Sequence, residues 1–460
     1  MATTSPSSQL LDALRAAVGT VIGPDDADYD AARRVMYEDD ARPAAIARPA
    51  DSSEVARVVD LARETGSELA IRSGGHSGAG HGTSDGGIVL DLSGLKSIEI
   101  DVEGRTVWAG TGLTAGEVGA AVGEHGLVIG FGDTASVGIG GITNGGGIGF
   151  LVRKFGMTID NVLAAEVVTA DGQVRVVDAE HEPDLFWAVR GGAGNVGVVT
   201  RFQYRLHELP QIVGGMLILP ATPDTIAGFL SAAEAAPDEL STIANVMPCP
   251  PMPFVPAERH GELVIFGLLA YAGGPEAAGP VLAPFRALAE PIADMLRPMT
   301  YQEMFPPEDP DYHPIAAART MFLDHVDRNV AARIVETLTE HQRTSNAQMV
   351  VTQLRVLGGA MARVPADATA FAHRSSRILA NLAALVPARE DLTPHEAWAE
   401  DYMAALRQGD HGRYVNFLVD EGPEAVAAAF PGETGRRLAD IKRRYDPANL
   451  FRRNQNVAPA

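Results

Sequence analysis

Apolar and polar positions follow two regimes along this chain. Before about residue 207, short apolar runs of strand length dominate: residues 68–71, 88–92, 165–172 and 198–204. Residues 98–102 and 106–110 read as a hairpin turning through Glu103-Gly104. Helical spacing interrupts them. Residues 49–62 place Val55, Val58, Val59 and Leu61 behind Asp51-Ser52-Ser53-Glu54, the pattern of an N-capped amphipathic helix with an acidic first turn. Residues 9–18, 30–36 and 115–124 read as further helices.

After Glu208-Leu209-Pro210 glycine thins out and Ala-rich helical patterns appear at 223–235, 276–289, 329–342, 366–385 and 394–406. Strands fall at 213–219, 263–270 and 349–357. The pattern predicts an antiparallel sheet covered by helices, an α+β arrangement. A last helix is expected at 434–444. The proline-rich loop 249–256 reads as exposed, with Cys249 as a plain loop residue. No internal repeat is evident.

The bulk numbers change this picture little. At 460 residues two domains are the natural expectation. With 37 basic and 59 acidic residues the net charge is −22, which argues against nucleic acid and anionic membranes as partners. No apolar run is long enough to span a membrane, and residues 1–10 carry no basic-then-apolar signal, so a cytoplasmic location is expected. A single cysteine excludes an intramolecular disulfide. No metal site is expected, and the oligomeric state is open.

The candidate chemistry lies in three glycine-dense segments. Arg72-Ser73-Gly74-Gly75-His76-Ser77 follows the strand at 68–71; its paired glycines let a ligand approach the backbone, and His76 is the one strong nucleophile in the turn. Residues 132–149 form the second segment and 186–200 the third. Glycine this dense between Val/Ile/Leu strands suits a large planar or phosphorylated ligand. Gly192-Ala193-Gly194-Asn195-Val196-Gly197 matches a dinucleotide pattern, but a strand-like run, not a helix, follows it, so a Rossmann site is not expected.

These three segments, with the closing run from Arg444-Tyr445-Asp446-Pro447 to Asn454-Gln455-Asn456, resemble the berberine bridge enzyme-like flavin oxidases of the vanillyl-alcohol oxidase/para-cresol methylhydroxylase superfamily. The resemblance spans about residues 44–456. It implies a two-domain flavoprotein: a discontinuous FAD-binding domain (1–206 and a returning 419–460) and a substrate domain (207–418). It implies FAD bonded through its 8α-methyl to His76. Where many relatives carry a second, cysteinyl link, this chain has Thr134, so a single link is expected. The implied FAD contacts are Arg72, Ser73, Gly74, Gly75, His76, Ser77, His81, Thr134, Val137, Gly138, Ile139, Gly141, Asn144, Gly145, Gly146, Gly149, Gly197, Val198, Val199, Asn454 and Asn456. In the family, the residue at Ile139 would lie near the flavin and gate oxygen.

For catalysis, Gln353 and Arg355 sit two apart on a predicted strand and so share a face, which suggests a ligand cavity. In Tyr414-Val415-Asn416-Phe417 the family often ends on a tyrosine that acts as base; Phe417 cannot, which leaves Tyr414 or His313 as candidates. The leading expectation is an FAD-dependent oxidoreductase that takes a hydride from a small alcohol, sugar hydroxyl or secondary metabolite, with oxygen as acceptor. The alternatives are a dehydrogenase using another acceptor, amine oxidation as in 6-hydroxynicotine oxidases, and a flavin-storing protein.

Overall fold

A computed structural model describes residues 6–37 and 39–460, so part of the N-terminal stretch read above for targeting signals lies outside the described residues. The first sheet has four strands in the order Thr20–Ile22, Ala45–Arg48, Ile88–Asp91, Leu69–Arg72, and the last three are parallel. Parallel strands need a crossover: the helix Ser52–Thr65 carries the chain from Ala45–Arg48 to Leu69–Arg72, with Ile88–Asp91 between them in the sheet. The Asp51 side chain accepts from Glu54 N at 2.9 Å to start that helix, a cap worth about 1 kcal/mol. Gly66, at φ +68°, ends it, and Val55, Val58, Val59 and Ala62 are buried.

The second sheet is antiparallel, in the order Ile98–Asp101, Thr106–Gly110, Val198–Arg205, Val162–Val168, Val174–Asp178. The expected hairpin is there, with Ile98 opposite Ala109 and Asp101 opposite Thr106. Gly197 runs straight into the strand Val198–Arg205. No helix N-terminus follows the G-x-G-x-x-G pattern, as expected.

The third sheet is the large one. Its main order is Ala293–Asp294, Ile212–Pro220, Leu263–Tyr271, Leu240–Pro248, Met349–Val356, Ile378–Val386, Ile315–Leu323, all antiparallel. The helix expected at 366–385 is not formed. Residues 378–386 are instead a strand between two others, and 366–376 are irregular. Ile-Leu-Ala-Asn-Leu-Ala-Ala-Leu-Val favours helix locally, but a strand buried on both faces also reads as an unbroken apolar run, and its pairing overrides propensity. The strands Leu240–Pro248 and Ile315–Leu323 were not expected at all.

Alternation fixes which face of this sheet does what. Ile378, Ala380, Leu382 and Ala384 pack under the helices Pro223–Ala235, Pro275–Arg286, Arg328–Thr344 and Leu392–Leu406, with Val350, Leu354, Met321 and Leu323 beside them. The intervening residues Leu379, Asn381, Gln353, Arg355, Ala316 and Ala318 therefore look the other way. Cys249 is buried at one margin of the sheet with Ile218, Val255 and Val264, although Pro251, Pro253 and Phe254 of its loop are exposed.

The C-terminal segment returns to the first part of the chain. Leu438, Ile441 and Tyr445 of the helix Glu433–Tyr445 share a core with Val107, Val199 and Tyr204, and Val415 and Leu418 already belong to it. The return therefore begins a few residues before 419. Lys442 is fully buried and donates to Asn195 Oδ1 (3.2 Å), Phe451 O (2.8 Å) and Asn456 Oδ1 (2.6 Å). Asp446 accepts from the amides of Leu450 and Phe451, which turns the chain back towards the first sheet.

Candidate functional site

A cavity of about 540 Å³ lies where these pieces meet. The loop 72–82 leaves the edge strand Leu69–Arg72 and forms one wall. Residues 132–144, 193–199 and 453–455 form three more. Ile315, Ala316, Ala318 and Asn381 of the large sheet, with Tyr414 to Asp420, close the far end.

The two main glycine segments touch backbone to backbone. A Cβ on Gly74 would stand 2.2 Å from Gly138 N, and one on Gly138 would stand 2.1 Å from Gly74 N, so neither position tolerates a side chain. Ser73 locks the contact: its hydroxyl donates to Thr111 O (2.5 Å) and accepts from Gly140 N (3.2 Å). Below the loop, the Arg72 guanidinium donates to Asp91 (3.0 Å) and to Ala32 O (2.7 Å). Burial alone would push the Asp91 carboxyl up; Arg72 and Arg48 outweigh it and hold the carboxyl below its ordinary value.

The residues present fit the flavin cofactor that the resemblance implies. Two asparagines on the wall, Asn144 and Asn454, each have a buried Oδ1 with no hydrogen-bond partner, while their Nδ2 atoms are fixed on Gly140 O (2.8 Å) and on Gly194 O and Phe451 O (3.1 and 3.0 Å). Buried acceptors of this kind call for a donor from a ligand. Two imidazoles face the same space. Burial pushes His81 down to about 4, with Arg453 adding to the effect, and lowers His76 despite the nearby Glu308 carboxylate. Both rings are therefore neutral near pH 7.

Of the expected cofactor contacts, Arg72, Ser73, Gly74, Gly75, His76, Ser77, His81, Thr134, Val137, Gly138, Gly141, Asn144, Gly197, Val198, Val199 and Asn454 all lie on the cavity wall. Five do not. Ile139 is fully buried among Val107, Val118 and Phe131, so its side chain points into the core; Val137, two residues earlier, is the one that faces the cavity. Ile139 itself does not line the cavity. Gly145 makes room for the Asn416 side chain, Gly146 for Met157, and Gly149 for the Gly132 backbone. Asn456 is turned onto Lys442.

The catalytic candidates divide in the same way. Tyr414 and Phe417 are on the wall, at the start and the end of a 3₁₀ turn over Val415–Phe417. The Tyr414 hydroxyl accepts from Gly147 N (3.0 Å), Ile148 N (3.2 Å) and Asn416 Nδ2 (3.1 Å), and burial raises its phenol above the usual value. Gln353 and Arg355 do share a face, with Arg355 Nε donating to Gln353 Oε1 at 3.0 Å. They stand one layer behind the wall: Arg355 Nη2 donates to Asp133 Oδ2 (2.6 Å), and its guanidinium lies 5.1 Å from the centroid of the Phe417 ring. His313 is off the cavity, with Nδ1 donating to Val35 O at 2.9 Å.

Several residues on the wall or directly behind it escaped the sequence reading. Asp133 is the only charged residue of the 132–149 segment, a visible signal. Asn381 is the only polar residue in its strand; its Oδ1 is buried, unpartnered and on the wall. Ser136 and Glu308, which contact His76 directly and through one another, had no signal in the sequence. Among the described residues no group of His, Cys, Asp and Glu is placed to hold a metal, and no helix is long and apolar enough to cross a membrane.

Comparison with known proteins gives matches over nearly the whole chain. Residues 43–178 match a family model described as FAD binding domain, and 413–458 one described as berberine and berberine like. The (R)-6-hydroxynicotine oxidase of Paenarthrobacter nicotinovorans is 32% identical over 461 residues, 96% of this chain and 97% of that protein. The solved structure of 6-hydroxy-D-nicotine oxidase from Arthrobacter nicotinovorans matches with a TM-score of 0.84 at 29% identity, covering 96% and 98% of the two chains. Glucooligosaccharide oxidase from Acremonium strictum, described with a 6-S-cysteinyl, 8α-N1-histidyl FAD, shares the fold with a TM-score of 0.85 at 22% identity, covering 98% and 99%.

Proposed function

Because this chain belongs to the berberine bridge enzyme-like FAD-linked oxidoreductases, we propose that it carries FAD covalently on His76 alone and oxidises a small neutral amine, with oxygen as the electron acceptor. That it is an FAD-dependent oxidoreductase follows from the family. One observation carries the covalent part: His76 and Thr134 line the same cavity. The first offers a nucleophilic nitrogen; the second, a hydroxyl in place of a thiol, offers no second link of the cysteinyl kind.

Bound FAD supplies the acceptor for the hydride and the route of electrons to oxygen. The protein supplies the rest. The apposed backbones at Gly74 and Gly138 and the unpartnered oxygens of Asn144 and Asn454 would hold the cofactor. Asn381, with an unpartnered oxygen at the end of the cavity formed by the large sheet, would accept a hydrogen bond from substrate N–H or O–H.

The amine form of the substrate is favoured over an alcohol by the state of the two residues where a phenolic base was sought. Phe417 cannot ionise, and the Tyr414 oxygen is saturated with donors and raised by burial. A neutral amine gives up a hydride without prior deprotonation, whereas an alcohol needs a base that typically contributes about 10²–10⁴-fold. The 32% identical relative is by name an oxidase of 6-hydroxynicotine, which agrees with this choice.

Two measurements test the reading. Mass spectrometry of the acid-denatured chain should place one FAD on the peptide containing His76 and none elsewhere; a chain without the increment refutes the covalent link. An anaerobic substrate panel followed by flavin bleaching should respond to cyclic and secondary amines. Bleaching by sugars or primary alcohols alone would overturn the amine assignment.

A further inference from the structure

Three side chains form a line from solvent to the cavity. Glu308, exposed on the loop 305–314, accepts twice from Ser136: Oε1 from the backbone N–H at 3.0 Å and Oε2 from the hydroxyl. A hydroxyl has one proton to give, and Ser136 gives it to Glu308. Towards its other neighbour, His76 Nε2 at 3.0 Å, the same oxygen can only accept. The imidazole proton is therefore on Nε2, which leaves the lone pair on Nδ1. Among the described residues nothing hydrogen-bonds Nδ1, and His76 lines the cavity.

We propose that Glu308, acting through Ser136, is a positioning residue for covalent flavin attachment. It fixes His76 in the tautomer whose Nδ1 is nucleophilic, and it receives the Nε2 proton as Nδ1 becomes bonded. The inference rests on the covalent reading above and adds the two residues that drive it.

The step balances as follows. A bond forms between Nδ1 and the 8α-carbon of FAD. One C–H bond of the 8α-methyl and the Nε2–H bond of His76 break, and both hydrogens leave as protons. The Nε2 proton moves to Ser136 as the Ser136 proton moves to Glu308, whose exposed carboxylate passes it to water. The two electrons of the broken C–H bond reduce the isoalloxazine, and dioxygen takes them up to give hydrogen peroxide.

A purely structural role would look different. Glu308 and Ser136 also tie the loop 305–314 to the glycine-dense segment. Glu308→Gln keeps one oxygen to accept from Ser136 and so keeps part of that tie, but it cannot take up a proton.

The test uses the full chain produced in flavin-poor medium and then mixed with FAD. Covalent incorporation is followed by mass after acid quenching, and non-covalent uptake by quenching of flavin fluorescence. We expect Glu308→Gln and Ser136→Ala to take up FAD like wild type but to attach it about 10²-fold more slowly, the lower range of base assistance. Ser136→Thr, which keeps the hydroxyl, should attach near the wild-type rate. The Glu308→Gln deficit should shrink as pH rises and hydroxide replaces the carboxylate as proton acceptor. Equal attachment rates in wild type and both loss variants, or a deficit independent of pH, would overturn the proposal. A wild-type chain that never attaches FAD refutes the covalent reading itself, and the proposal with it.

Discussion

Arg355 Nη2 lies 2.6 Å from Asp133 Oδ2, and this contact joins the large sheet to the glycine-dense cofactor segment. Arg355 is almost fully buried while Asp133 keeps about a quarter of its side chain exposed. The cation also holds Gln353 Oε1 and Ile148 O, so one guanidinium sets the spacing between the two halves of the cavity.

Removing Asp133 should therefore cost more than a surface charge would. Breaking one side of a buried ion pair typically costs about 3–5 kcal/mol. Part of that is recovered here, because Asp133 is partly wetted and Asn can still accept. Asp133→Asn is expected to lower stability by about 1–3 kcal/mol on that scale. Adding Arg355→Leu should cost less than the sum of the two single changes. Thermal unfolding of the four proteins of the cycle checks this, and additive losses would rule out the coupling.

Tyr414→Phe is expected to act on stability and not on proton transfer. It leaves the buried amides of Gly147 and Ile148 without their shared acceptor, at about 1–3 kcal/mol. The pH profile of flavin reduction by substrate should keep its wild-type form. A lost ionisation in that profile would make Tyr414 the base after all.

Ile139→Val should leave reoxidation by oxygen at the wild-type rate, because the side chain lies in the core and not on the cavity. The change should instead cost about 0.5–1.5 kcal/mol, as Ile-to-Val truncation in a core does. Stopped-flow reoxidation and denaturant unfolding separate the two effects.

His341 predicts an acid-side loss of stability. Its Nε2 lies 2.8 Å from His395 Nδ1, its ring stacks on Trp398 at 4.0 Å, and burial, with His395 beside it, pushes it down to about 4. A free histidine titrates near 6.5, so between about 6.5 and about 4 the unfolded chain binds a proton that the folded chain refuses. Stability falls as pH drops through that window and levels off below it. His341→Gln should reduce the slope of stability against pH there by about one proton, with substrate oxidation unaffected at neutral pH. An unchanged slope would show that His341 is already protonated in the fold.

Much of this architecture could be read from local signals. The Asp51 cap, the hairpin at Glu103-Gly104 and the three glycine segments each express a constraint on nearby backbone, and such constraints survive in sequence. The strand Ile378–Val386 did not read as a strand because both its faces are covered, so no polar alternation marks it. Asn381, the one polar residue inside it, was the clue to its cavity-facing side. Ile139 was placed on the cavity by resemblance, but its side chain is packed in the core while Val137, two residues earlier, lines the cavity, since neighbouring positions on a bending backbone point different ways. Glu308 sits in an acidic, proline-rich loop where nothing local distinguishes it; only the fold brings it to Ser136, 172 residues away.

Asn454 completes the cavity wall, and Lys442 anchors the turn that puts it there. These residues leave the ribosome after every other part of the cavity has been made. A nascent chain that has reached Gly432 already contains His76, both glycine walls and the whole large sheet, yet it lacks the segment 453–455 that lines the cavity beside them. The cavity is thus closed by the end of the chain, and a truncation after Gly432 would remove that wall while leaving the sheets that carry the others.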